Sequence, residues 1–213
     1  MGDRETARLE AFSDAVFAIA ITLLALELRV PQLPEAADGA ALGRALLAEW
    51  PSYLAFVISF GTILVMWINH HWLLRIITRS DQVFLLLNGL LLMLITAVPF
   101  PTSLASSYLT RPGASLAVAV WGTYFAVVAI AFNVLWRYAR RGRRLIGPDV
   151  PQALIDSVHQ RYRFGPLFYL VAAVLALVFV PLSVAVNVGL AVLFAIPHPA
   201  RTLPPASPPP GPN

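Results

Sequence analysis

The 213-residue chain has a net charge of +4 and is 58% hydrophobic but only 12% charged, whereas soluble domains carry about 25% charged residues. This composition, with a mean hydropathy of +0.73, excludes an ordinary soluble domain and indicates a multi-pass membrane protein. There is no cysteine, which excludes disulfides, thiolate metal sites and cysteine catalysis. All basic residues apart from histidine are arginines between apolar runs, so we expect contacts with membrane lipids and none with nucleic acid.

The hydropathy pattern predicts an all-α membrane fold with six transmembrane helices. Four apolar runs, 11–30, 51–74, 82–102 and 114–138, reach the roughly 20 residues that a span needs. A fifth apolar stretch, 164–196, is too long for one upright helix, and Pro181 near its middle predicts two short helices joined by a hairpin. Short helices are also expected over 36–48 and 151–160. We therefore predict one membrane domain, 1–196, followed by a proline-rich disordered cytoplasmic tail, 197–213.

The distribution of arginine predicts the orientation of these spans. With the N-terminus inside, the inner segments hold twelve arginines and the outer loops hold three, Arg29, Arg44 and Arg111. Short cytoplasmic loops carry the excess of arginine and lysine in membrane proteins. We therefore expect both termini to be cytoplasmic.

The first span places ionisable and hydroxyl side chains next to a long apolar run. A carboxylate such as Asp14 costs about 2.5–3.5 kcal/mol at the centre of a span, so it requires a partner. With 100° per residue, Asp14 and Ser13 lie opposite an aliphatic stripe that contains Ile19, Leu23 and Leu26. This stripe fits two arrangements, one facing lipid and one facing a symmetry axis, and the periodicity alone leaves both open.

The motif Arg8-x-x-x-Phe12-Ser13-Asp14 resembles the R-x-x-x-F-S-D signature of the bacterial branch of the transmembrane protein 175 family, which are lysosomal-type potassium channels. The similarity continues through 17–23 and 26–27, and the six-span layout agrees over essentially the whole chain. The resemblance implies a homotetramer in the bacterial inner membrane, with the first helices lining a central pore. It implies that potassium is the permeant ion and that no cofactor is needed.

The resemblance also implies roles for particular side chains. Ile19, Leu23 and Leu26 correspond to a hydrophobic pore constriction, which replaces the carbonyl filter of ordinary potassium channels. Thr22 is the polar neighbour of this stripe and offers a hydroxyl to a partly dehydrated ion. Glu27, at the outer end of the first span, is a candidate for attracting cations to the outer mouth; a solvated loop is the alternative.

The inner end of the second span is rich in polar and aromatic residues. His70 and His71 are adjacent and point about 100° apart on a helix, so we predict no metal site there. The family resemblance favours a hydrogen-bonded network that holds the motif helix in place, while interfacial anchors with solvated histidines are the alternative. The predicted network contains Arg8, Phe12, Ser13, Asp14, Trp67, His70, His71 and Asp81.

The preferred function is a potassium-selective channel. The alternative is a proton-coupled secondary transporter that uses Asp14 and the neighbouring histidines, because intramembrane carboxylates and histidines form proton relays. Such transporters commonly contain internal repeats, and no convincing repeat occurs here. An enzyme is not expected, because the sequence has neither a suitably spaced Ser, His and Asp set nor a nucleotide-binding loop.

Overall fold

The computed structural model describes residues 2–196, and their backbone is mostly helical. The predicted tail 197–213 lies outside the described residues. Two 3-10 turns, Leu24–Glu27 and Arg141–Arg143, extend the first and sixth α-helices. In chain order the α-helices are α1 (Gly2–Leu23), α2 (Gly39–Ala48), α3 (Trp50–Ile76), α4 (Gln82–Thr96), α5 (Pro99–Tyr108), α6 (Ala114–Arg140), α7 (Gln152–Arg163), α8 (Gly165–Ala176) and α9 (Val180–Ala195).

Four helical segments are long and apolar enough to cross a membrane: Thr6–Glu27, Trp50–Ile76, Gln82–Tyr108 and Ala114–Arg143. The third consists of α4 and α5, which are separated at Ala97 and Val98. The break predicted near the prolines is present, but the helix resumes and extends beyond the predicted end at 102. Proline at the first position of a helix removes no hydrogen bond, so α5 can begin at Pro99.

The stretch 164–196 forms two short helices, as predicted. α8 has 12 residues and α9 has 16, which corresponds to about 18 and 24 Å at 1.5 Å per residue. They separate over 177–179, and Pro181 lies in the first turn of α9. The Ser183 hydroxyl donates to the Ala172 carbonyl at 2.7 Å, which links the two helices across their hairpin.

The core is centred on α6, which packs against α4, α5 and α8. Trp121 and Trp136 are among its largest buried side chains. Gly122 faces Ala173 of α8 so closely that a Cβ there would lie 3.2 Å from the Ala173 Cα and Cβ atoms. Small residues at such crossings allow helix backbones in membranes to approach each other. The α6–α8 contact therefore depends on the glycine.

The helix α1 packs against α3 and α4 through one face only. Phe17, Ala20 and Leu24 are fully buried, and their spacing of three and four residues keeps them on that face. Near the start of α4, the loop after α3 is joined to the segment after α6. The Thr78 amide donates to the Leu145 carbonyl, and the Gly147 amide donates to the Ile76 carbonyl, both at 3.0 Å.

Candidate functional site

The face of α1 that does not pack against α3 and α4 is exposed and carries the aliphatic stripe. Ile19 is 55% exposed, Leu23 38% and Leu26 77%, whereas Phe17, Ala20 and Leu24 on the packed face are fully buried. The Thr22 side chain is also exposed, and its hydroxyl donates to the Ile19 carbonyl at 2.8 Å. This bond occupies the hydroxyl proton, so the oxygen lone pairs remain able to accept a bond or contact a cation. The chain thus leaves a continuous apolar surface on its first span.

Arg8 and Phe12 lie on this exposed surface and not in the polar network to which they were assigned. The physical reason is helical periodicity. Arg8 precedes Phe12 by four residues, and Phe12 precedes Ile19 by seven, so the three share one face of α1. Ser13, one position further along, turns inward and is fully buried.

Ser13 is one end of a buried chain of three polar side chains that joins α1, α4 and α3. The Asn88 amide nitrogen donates to the Ser13 hydroxyl at 3.0 Å. The Asn88 carbonyl oxygen accepts from His70 Nε2 at 2.7 Å, which assigns the proton to that nitrogen. The His70 ring also packs against Phe17, with 5.3 Å between ring centroids. These hydrogen bonds fix the depth of α1 relative to its neighbours.

Asp14 is held by the second span. The Trp67 indole Nε1 donates to Asp14 Oδ1 at 2.8 Å. The second carboxylate oxygen lies 3.6 Å from His71 Nδ1, and the same nitrogen lies 3.1 Å from Glu10 Oε1. The sequence left open which histidine faces the motif helix. In the structure both do, because His70 contacts Ser13 through Asn88 and His71 lies beside Asp14.

Asp81 lies in a separate cluster and does not join the network predicted for it. Its Oδ1 accepts from the Phe84 amide at 2.8 Å and caps α4, and its Oδ2 accepts from the Tyr138 hydroxyl at 2.7 Å. Arg144 lies 3.6 Å from the same oxygen. The Phe84 amide, then the Tyr138 hydroxyl, hold the pKa of Asp81 below its ordinary value. Asp81 therefore anchors α4 to α6, while Asn88, two turns later, makes the contact with α1.

The acidic residues between α1 and the start of α3 include Glu27, the candidate for the outer mouth. Asp38 Oδ1 accepts from the Ala41 amide at 2.7 Å and caps α2. Glu49 Oε2 accepts from the Ser52 hydroxyl at 3.0 Å at the start of α3. Glu27 is half-buried in the 3-10 turn after α1. Asp38 and Glu49 therefore stabilise helix starts.

Two participants in the network were not assigned to it from the sequence: Glu10 and Asn88. Asn88 is a polar residue in an otherwise apolar span, which is a signal for an inward-facing partner. Glu10 lies four residues before Asp14 and therefore shares its helix face. That spacing could have indicated a paired carboxylate site.

The family model for the endosomal/lysosomal potassium channel TMEM175 matches residues 8–99, which include the motif helix and its anchors. A potassium channel of Chamaesiphon minutus is 50% identical over 192 residues, covering 90% of this chain and 94% of that protein. The chain belongs to the TMEM175 family. A second TMEM175-like relative, a potassium channel of Streptomyces collinus, is 41% identical over 202 residues, covering 92% of this chain and 96% of its own length.

The TMEM175 fold is also supported by a solved structure. The crystal structure of a lysosomal potassium-selective TMEM175 homolog from Chamaesiphon minutus matches with a TM-score of 0.81 and 49% identity. The match covers 90% of this chain and 97% of that chain. The family resemblance inferred from the Arg-Phe-Ser-Asp motif is therefore confirmed, and the chain is a multi-pass membrane protein of the ion channel class.

Proposed function

We propose that this chain is a subunit of a homotetrameric, potassium-selective channel in which four copies of α1 line the pore. The observation that carries this proposal is the exposed aliphatic stripe on α1. The chain belongs to the TMEM175 family, and its relatives from Chamaesiphon minutus and Streptomyces collinus are named potassium channels. The described residues leave uncovered a stripe that contains Ile19, Leu23 and Leu26, so this stripe is available to face a symmetry axis.

The selectivity mechanism follows from the chemistry of this stripe. Aliphatic side chains cannot replace the hydration shell of an ion, so a ring of Ile19, Leu23 and Leu26 either dewets and closes or widens to pass a partly hydrated ion. Potassium releases water more readily than sodium, so a narrow ring penalises sodium more. The Thr22 oxygen, one turn from Ile19, supplies a polar contact at this depth. Glu27 raises the local cation concentration at the outer mouth.

The proposed topology has six passes, with α8 and α9 as the two short ones, and both termini on the cytoplasmic side of the bacterial inner membrane. The excess of arginine at that side supports this orientation. The anchors Asp14, Asn88 and Asp81 then lie at the inner end, where they hold α1, α3, α4 and α6 at a common depth. Their proposed role is to position the pore helix.

The test is ion flux from liposomes that contain the purified chain, with Ile19→Asn as the principal variant. If Ile19 forms the constriction, an asparagine ring admits water and hydrated sodium, so leak rises and the preference for potassium over sodium falls. The matched control is Ile130→Asn on α6, since Ile130 is 50% exposed, close to the exposure of Ile19. The control should leave selectivity unchanged. Equal effects of both variants, or none at Ile19, would contradict the pore assignment.

The same liposomes separate a channel from the proton-coupled transporter. Potassium efflux at single-channel rates that persists after a protonophore collapses the proton gradient supports the channel. Efflux that stops with the gradient would support the transporter. Sodium currents equal to the potassium currents in a bilayer would refute the selectivity proposed for the wild-type chain.

A further inference from the structure

Three potential metal ligands converge beside the base of α1. Glu10 and Asp14 are one turn apart on α1, and His71 faces both from α3. One ligand atom from each residue lies within 4.8 Å of the other two, and all three residues are partly exposed. This cluster went undetected in the sequence because its donors come from two helices, whereas the adjacent histidines point apart.

Two of the three separations between the ligand atoms are close to those in a tetrahedral zinc site. Ligand atoms about 2.0–2.2 Å from a zinc ion lie roughly 3.3–3.6 Å apart in a tetrahedron. His71 Nδ1 lies 3.1 Å from Glu10 Oε1 and 3.6 Å from Asp14 Oδ2. Trp67 bonds the other oxygen of Asp14 at 2.8 Å, so the carboxylate is already oriented toward His71.

We propose that Glu10, Asp14 and His71 form a binding site for a divalent transition metal of the zinc type. One imidazole nitrogen and two carboxylate oxygens match the ligands that zinc takes, and three protein ligands leave a fourth position for water. Calcium and magnesium need six or more oxygen ligands, and an imidazole suits zinc, copper, iron or nickel better. The three residues are partly exposed, whereas the His71 Nδ1 atom is itself buried and has no hydrogen-bond partner among the described residues.

An ion at this site would bridge α1 and α3. The bridge would restrain the motif helix by coordination bonds in addition to the hydrogen bond from Trp67. Binding of the ion does not depend on the proposed function. Its effect on potassium flux does, since α1 lines the pore only under that proposal.

The experiment measures zinc binding to the full-length chain in detergent, after removal of any polyhistidine tag, by calorimetry at neutral pH. The wild-type chain should bind one zinc per subunit. Glu10→Gln and His71→Asn should weaken binding by at least about tenfold, since even partners outside the first shell change affinity by 10–100-fold. Glu35→Gln and His159→Asn, which alter a loop carboxylate and the α7 histidine, are the matched controls and should bind as the wild type does.

Cobalt provides a readout of coordination in the wild-type chain itself. A four-coordinate cobalt ion bound to the wild-type chain should give intense visible absorption that zinc abolishes. This measurement needs no variant, so it still tests the site if a variant fails to fold. Weak, octahedral-type absorption, or undiminished zinc affinity in folded Glu10→Gln and His71→Asn, would overturn the proposal. If the chain binds zinc but passes no potassium in zinc-free liposomes, the metal site is supported and the proposed channel function is refuted.

Discussion

Replacing Asn88 with alanine tests whether the buried polar chain holds α1 in place. The change removes two hydrogen bonds between helices, one to Ser13 at 3.0 Å and one to His70 at 2.7 Å. Such bonds contribute about 0.6 kcal/mol each in membrane proteins, with a maximum near 1.7. We therefore expect Asn88→Ala to lower the free energy of unfolding by about 1–3 kcal/mol relative to a matched alanine substitution.

Asn187→Ala on α9 is that matched substitution. Asn187 is buried like Asn88, but its amide donates to the Ser183 carbonyl of its own helix at 2.9 Å. The two variants lose the same side-chain volume, so their difference isolates the bonds between helices. Unfolding in mixed detergent micelles, followed by helical circular dichroism, measures that difference. Melting temperatures should differ by about 2–12 °C for a chain of this size. Equal destabilisation by both variants would refute the anchoring role of Asn88.

Two further predictions concern α6 and α4. Gly122→Leu should separate α6 from α8 and lower the free energy of unfolding by about 1–3 kcal/mol, because a Cβ at that position would lie 3.2 Å from Ala173. The control Gly189→Leu has open space around it and should be nearly neutral in the same melting assay. Asp81→Ala should lower the melting temperature more than Asp81→Asn, which keeps a capping oxygen for the Phe84 amide. Because the pKa of Asp81 is lowered on folding, its charge contributes fully at neutral pH and is lost as the pH falls below the ordinary value of 3.8. The difference between wild type and Asp81→Asn should therefore vanish in acid, and a difference independent of pH would contradict the ionic contribution.

The helices could be predicted from the sequence because apolar run length and proline position are local signals. The short pair α8 and α9 followed from a 33-residue apolar stretch interrupted near Pro181. The third span continues to Tyr108, beyond the predicted end at 102, because the helix resumes at Pro99 after the break. The residues around a proline do not determine whether the helix continues in the same direction beyond it. In this chain that direction depends on the packing of α5 against α6.

The exposed face of α1 was also predictable, since one helix determines its own periodicity. The contacts of its polar face were not, because they depend on the relative depth of three helices. Asp81 and Asn88 are two turns apart on α4, and a shift of that size decides which of them reaches Ser13. The sequence placed Arg8 and Asp81 in the anchor and left out Glu10 and Asn88, because tertiary packing selects which polar side chains meet.

The exposed face of α1 has a second feature that bears on assembly, a row of small residues beside the aliphatic stripe. Lipid tails are as apolar as leucine, so large aliphatic residues alone do not drive helices together in a membrane, whereas small residues do by allowing close packing. A row of exposed alanines runs next to the stripe: Ala11, Ala15, Ala18 and Ala25. In the proposed tetramer, each α1 would pack this row against the next copy. That contact would turn Ile19, Leu23 and Leu26 toward the symmetry axis. The exposed face of α1 would then supply both the contact between neighbouring subunits and the wall of the pore.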